Sequence, residues 1–224
     1  MKTDLQKGFT LVEIAIVLVI VGLLLAAVLK GQELITQGKI KGVINDFNGV
    51  MTAYNGYQDR YKAIPGDDPG AAARWTSAGI TTLSTFGNGV VNGNYFDDQL
   101  NSSEADYFWL ELRLANFYAG STSNVTGGDV SGLKLPTNSV GGEIGVQNGA
   151  LGIPGLVVCS TNVPYKIALA VDTQLDDAKA PTGTVRGILY DTTTAVGSGN
   201  PVIGVAPTAD YVDGNTYVLC RSAS

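Results

Sequence analysis

At 224 residues, with a formal net charge of −6 and no histidine, the chain has room for an anchor and one globular domain. The missing histidine removes His-based triads, His zinc sites and imidazole proton shuttles. The acidic balance is a poor match for nucleic acid, which is not expected as a partner. In chain order, a short polar leader, residues 1–8, carries Lys2 and Lys7 and precedes an apolar run from Phe9 to Leu29 whose one charge is Glu13. As a helix rising about 1.5 Å per residue, that run crosses a hydrocarbon core of roughly 30 Å. Positive charge ahead of it predicts that this end stays cytoplasmic and the rest lies outside. A secretory signal peptide would place small residues after the apolar run, whereas here the small residue, Gly8, stands before it.

The sequence Gly8-Phe9-Thr10-Leu11-Val12-Glu13 opening that run resembles the processing signal of type IV prepilins and type II secretion pseudopilins. The resemblance implies cleavage by a membrane aspartyl peptidase between Gly8 and Phe9, and methylation of Phe9 by the same prepilin peptidase/methyltransferase. It also implies that Glu13 guides assembly, through pairing of the Phe9 amine of one subunit with Glu13 of its neighbour. Physics alone gives Glu13 weight: an acid within the membrane costs about 2.5–3.5 kcal/mol on insertion scales, so it normally has a partner or a role. A glutamate snorkelling to the interface from five positions into the helix is the plainer alternative.

After Lys30 the helix is expected to continue over residues 30–58. Ile40, Val43, Ile44, Phe47, Val50, Met51 and Tyr54 recur at spacings of three and four and mark one apolar face. Pro65, Gly66, Pro69 and Gly70 end it, with Asp67 and Asp68 as turn residues. The phrase QDRYKAIPGDDP around this turn also resembles a group of pilin-like proteins. Residues 76–101 read as Gly/Asn-rich loop with a short hairpin at Asn92 and Gly93. A second helix is predicted from Ser103 to Phe117, opened by a capping box of Ser103 and Asp106. Residues 119–155 read as exposed loop or irregular sheet. Five strands are predicted at Gly155–Ser160, Tyr165–Val171, Thr184–Tyr190, Val202–Val205 and Thr216–Arg221, with short connections that favour antiparallel pairing. The fold class is therefore α+β. It is pilin-like: a long N-terminal helix, half membrane-spanning and half amphipathic, packed on an antiparallel sheet, with residues 59–224 forming the head.

Cys159 and Cys220, the two cysteines, lie in predicted strands of an exported domain, so a disulfide is expected. By chain entropy its loop of about 60 residues is worth about 4 kcal/mol. It also resembles the C-terminal disulfide loop of many pilins. Acidic pairs at Asp67/Asp68, Asp97/Asp98 and Asp176/Asp177 invite a calcium reading, and Asp172, Asp176 and Asp177, with Asp191 further on, are the best candidates. No EF-hand spacing is present and turn aspartates explain each pair, so the expectation is no metal and no cofactor. No P-loop, nucleophile elbow or dinucleotide fingerprint appears, and no catalytic residue is predicted. Trp75, Tyr95, Phe96, Tyr107, Trp109 and Tyr118 read as core or subunit contacts before a carbohydrate-binding face.

What the resemblance implies is a structural subunit of a type IV pilus, polymerised through Phe9–Leu29. The alternatives are a type II secretion pseudopilin and a minor pilin or tip adhesin with a ligand-binding head. Implied partners are other pilin subunits, the prepilin peptidase, an inner-membrane assembly platform and the membrane. The precursor would sit in the inner membrane with a periplasmic head, before moving to a surface pilus or a periplasmic pseudopilus.

Overall fold

The computed structural model describes residues 10–76, 80, 86–94, 103–122, 133–190 and 206–223. It divides into two compact units, Met1–Gly38 and Lys39–Ser224. Helix α1, Leu11–Tyr61, runs through both. In the first unit its apolar residues recur on every side and stay exposed, from Leu11 at 91% to Leu29 at 67%. A helix hydrophobic all round has no face of its own to turn toward water. In the second unit the pattern narrows to a stripe: Ile40, Val43, Phe47, Val50, Ala53 and Tyr57 are buried. Their spacing of three and four keeps them on one side. The helix ends at Tyr61, three residues later than predicted, where Lys62 turns left-handed at φ 55° and its amide bonds Gln58 O at 2.8 Å.

Two glycines let this stripe approach its neighbours closely. A Cβ on Gly42 would lie 2.6 Å from Ser139 Cβ, and one on Gly56 2.8 Å from the Phe117 ring. Beyond a one-turn helix α2, Ala71–Arg74, helix α3 spans Glu104–Leu114. Its capping box is formed as predicted: the Ser103 hydroxyl accepts from the Asp106 amide and the Asp106 carboxylate accepts from the Ser103 amide. All ten residues from Glu104 to Arg113 are buried, so α3 is a core helix.

The sheet has four antiparallel strands in the order β1-β2-β4-β3: β1 Ile144–Asn148, β2 Leu156–Pro164, β3 Val185–Leu189 and β4 Thr216–Ser222. Alternation along β2 and β4 gives each face its own core. Val158, Val163, Tyr217 and Leu219 join the α1 stripe and α3 in the main core. Val157, Cys159, Val218 and Cys220 pack instead under the turn at Ala150–Gly152 and Ile153.

Two expectations are corrected. Tyr165–Val171 is not a strand but the start of helix α4, Tyr165–Leu175, because Ile167, Ala168, Val171 and Asp172 are buried at helical spacing. Pro164 precedes it with φ −61°, where a missing N–H costs nothing. Residues 119–155 hold a regular strand, β1, whose glycine and glutamine masked its alternation. The second arm of the hairpin expected at Asn92 and Gly93 lies outside the described residues; the Asn92 amide and side chain both donate to Glu104 Oε2, at 2.7 and 2.9 Å. The predicted strand Val202–Val205 lies outside the described residues. The result is an α+β fold in which a long N-terminal helix is followed by an antiparallel sheet, a pilin-like architecture.

Candidate functional site

The N-terminal segment begins, in the described residues, with a reciprocal cap. Glu13 Oε2 accepts from the Thr10 amide and the Thr10 hydroxyl, both at 2.8 Å, and the Glu13 amide donates to Thr10 Oγ1 at 3.3 Å. This arrangement satisfies free donors at the helix start and points the carboxylate back along the chain. Gly8 and Phe9, the expected processing pair, lie outside the described residues. Beyond the cap, α1 is long and apolar enough to cross a membrane, with a mean hydropathy of 3.1 over its best 18 residues and none of that window buried. Gly22 and Gly31 sit in unbroken helix with nothing within 4 Å of an added Cβ.

In the head, Cys159 and Cys220 are bonded. They are directly paired across β2 and β4, so the disulfide joins the two central strands and lies fully buried on the face away from α1. The loop it closes carries α4 and β3.

The three acidic residues singled out for calcium do come together: one carboxylate oxygen of each of Asp172, Asp176 and Asp177 lies within 4.8 Å of the others. Each of the three already accepts two hydrogen bonds. Asp172 accepts from the Ala178 amide at 3.1 Å and from the Tyr211 hydroxyl at 2.7 Å. Asp176 accepts from the amides of Thr184 and Val185, and Asp177 from the Lys179 amide and the Thr182 hydroxyl. These bonds fold the turn after α4. Burial pushes the Asp172 carboxyl above its ordinary range. Asp191 and the pair Asp97/Asp98 lie outside the described residues.

A second polar cluster was not foreseen. Glu111, fully buried on α3, accepts from the Gly66 amide at 2.8 Å and from the Tyr57 hydroxyl at 3.0 Å. Tyr57, fully buried on α1, also reaches Asp68 Oδ2 at 2.8 Å, and Arg74 closes on both Asp68 and Tyr57. Asp67 accepts from the amides of Gly87, Asn88 and Gly89. The Pro/Asp turn after α1 is thereby pinned to α3 on one side and to the 87–89 loop on the other. Loss of solvent pushes Glu111 up to about 8, and burial with the neighbouring carboxylate raises Tyr57 as well. With one hydrogen on its hydroxyl, Tyr57 serves Asp68 or Glu111 at any moment, and a proton on Glu111 removes the conflict. The available sign in the sequence was Glu111 and Arg113 set inside the apolar run of α3.

Of the aromatic residues considered for a binding face, Tyr107 and Trp109 are fully buried in the core, Trp75 and Tyr118 are half-buried against it, and Tyr95 and Phe96 lie outside the described residues.

The prokaryotic N-terminal methylation motif matches residues 4–29. Comparisons with curated proteins and with solved structures return no match. The motif implies processing by a prepilin peptidase and assembly into pilin-type polymers, and it agrees with a membrane-anchored precursor. Ahead of a head of pilin-like architecture, this chain therefore carries the class III signal peptide of type IV pilins and pseudopilins.

Proposed function

We propose that the chain is a structural subunit of a type IV pilus, cut after Gly8, methylated at Phe9 and polymerised through the apolar half of α1. The observation that carries this reading is the run Leu11–Leu29, apolar on all sides, exposed throughout and interrupted by Glu13 alone. In the bilayer that surface is solvated by lipid. In a fibre it would be covered by the same segment of neighbouring subunits, so transfer from lipid to helix bundle gains packing contacts and paired polar groups. Glu13, released from its own cap, would take the amine of an incoming Phe9 and set the register. The role is mechanical rather than catalytic and needs no cofactor; Asp172, Asp176 and Asp177 serve the turn that they fold.

Mass spectrometry of N-terminal peptides from sheared surface fibres and from cell envelope tests this. The expected result is a peptide beginning at N-methyl-Phe9 and abundant in the fibres. The same peptide confined to the envelope would replace the pilus reading with a pseudopilin or minor subunit. An intact leader in cells with an active prepilin peptidase would sink both.

A further inference from the structure

Arg113 is the one arginine of α3, and it is only 7% exposed. Among the described residues it faces no carboxylate: its bonds run from Nη1 to Ser121 O at 3.1 Å and from Nη2 to Lys134 O at 2.7 Å. Its Nε is buried and has no partner among the described residues. Two neutral carbonyls fix the plane of the guanidinium but leave its charge uncompensated, and three of its five N–H groups uncommitted. A buried charge in that state is strongly unfavourable unless an opposite charge reaches it. Burial accordingly presses the Arg113 pKa below its usual value, with only Tyr118 opposing.

The same residue lines a cavity of about 430 Å³, together with Tyr118, Gly120, Leu133, Lys134 and Leu135. Gly120 also lines the cavity. It holds φ +152°, and a Cβ there would stand 2.4 Å from Nε, so only glycine lets the backbone pass this close to the guanidinium. Lys134 is exposed and adds a second positive charge to the lining. The leucines supply an apolar wall. The volume is that of a small-ligand site.

We propose that this cavity binds a carboxylate carried on a short apolar stem, with Arg113 as the fork and Lys134 as the outer cation. A planar carboxylate suits the guanidinium edge better than a spherical anion, since two parallel N–H···O bonds form at once. The carboxylate is either a free organic acid or the side chain of an acidic residue from a second copy of this chain. The inference is independent of pilus membership.

The test follows the Arg113 Nε–H resonance in a ¹H–¹⁵N spectrum of the full chain in detergent micelles. The peak is assigned by elimination, replacing Arg60, Arg74, Arg186 and Arg221 with lysine in turn. Titration uses butyrate, with the neutral isostere butyramide and with chloride at matched ionic strength as controls. A saturable shift with butyrate alone, at a Kd on the order of 1 mM, is expected. Lys134→Ala, which removes an exposed side chain and keeps the carbonyl that holds Arg113, should weaken it by about 1.5- to 5-fold. A shift that instead grows with protein concentration before any butyrate is added, and that butyrate competes away, assigns the carboxylate to a second copy. An unmoved resonance under both arms, or equal shifts with butyramide or chloride, overturns the proposal.

Discussion

Helix α1 contains two regions of one backbone conformation and opposite side-chain logic. Residues 11–29 are apolar around the whole circumference and bury nothing, whereas residues 40–57 are apolar along one stripe and bury its centre line. Backbone hydrogen bonds make helix in both, but only the stripe gives cohesion to a globular core. The difference separates two tasks. The first region keeps apolar surface available for lipid or for other subunits. The second is the spine on which the head is built, and glycines at 42 and 56 bring it close to Ser139 and Phe117.

The largest test of this contrast pairs a truncation in each region. Phe47→Ala removes a side chain that is 1% exposed, at the centre of the stripe, and should cost the head about 3–5 kcal/mol. Leu18→Ala, at a site 67% exposed, should leave head unfolding within about 0.5 kcal/mol while lowering the yield of assembled subunit. Urea unfolding of the full chain in detergent, followed by the fluorescence of buried Trp109, reads both. A comparable loss from Leu18→Ala would break the division. Next in size is the disulfide. Replacing Cys159 and Cys220 together by alanine should lower head stability by about 2–4 kcal/mol, seen as a fall in urea midpoint that reducing agent reproduces in the parent chain.

A third test uses pH, because the head that packs around the second region carries buried acid on α3 and α4, and the first region carries none. Glu111 holds its proton up to about 8 in the fold. Unfolded, it releases that proton near the ordinary glutamate value of about 4.3. A raised carboxyl pKa means that the folded state binds more protons across this window, so stability declines as pH rises from about 4.3 to about 8 and levels off above. Asp172, raised by burial too, adds to the same slope. Glu111→Gln keeps the shape and removes the proton equilibrium. The change in urea midpoint between about pH 5 and pH 8 should shrink by half or more, with Asp172 leaving a remainder. An unchanged slope would mean that Glu111 is ionised in the fold.

How much of this was legible in the sequence follows from how local each signal is. The apolar run with Glu13, the stripe of α1 and the Ser103/Asp106 cap are written in adjacent residues, and each stands where it was predicted. The disulfide followed from two cysteines, both in predicted strands, and the expectation of export. Helix α4 was misread because Ile167, Leu169 and Val171 also alternate, and period two competes with period three to four over so short a span. Strand β1 was missed because Gly145 and Gln147 carry no apolar sign; Gln147 is nonetheless fully buried. The Tyr57–Glu111–Asp68 cluster and the lone charge of Arg113 depend on residues up to 54 positions apart in sequence, and no window along the chain contains them.

The smallest effect is also the cleanest comparison, since the same cap occurs in the head and at the start of the first region. Ser103 and Asp106 close the start of α3, and Thr10 and Glu13 close the start of α1 with the same reciprocal bonds. Ser103→Ala deprives the Asp106 amide of its acceptor at the edge of a core helix and should cost the head about 1 kcal/mol. Thr10→Ala breaks an equivalent pair at the end of a segment that buries nothing, so fraying of that turn exposes no core. Head unfolding should not move, although amides in the first turn of α1 should exchange faster with deuterium. Equal losses from the two substitutions would show that α1 unfolds as one cooperative piece with the head, and that its two regions differ in their surroundings but not in their stability.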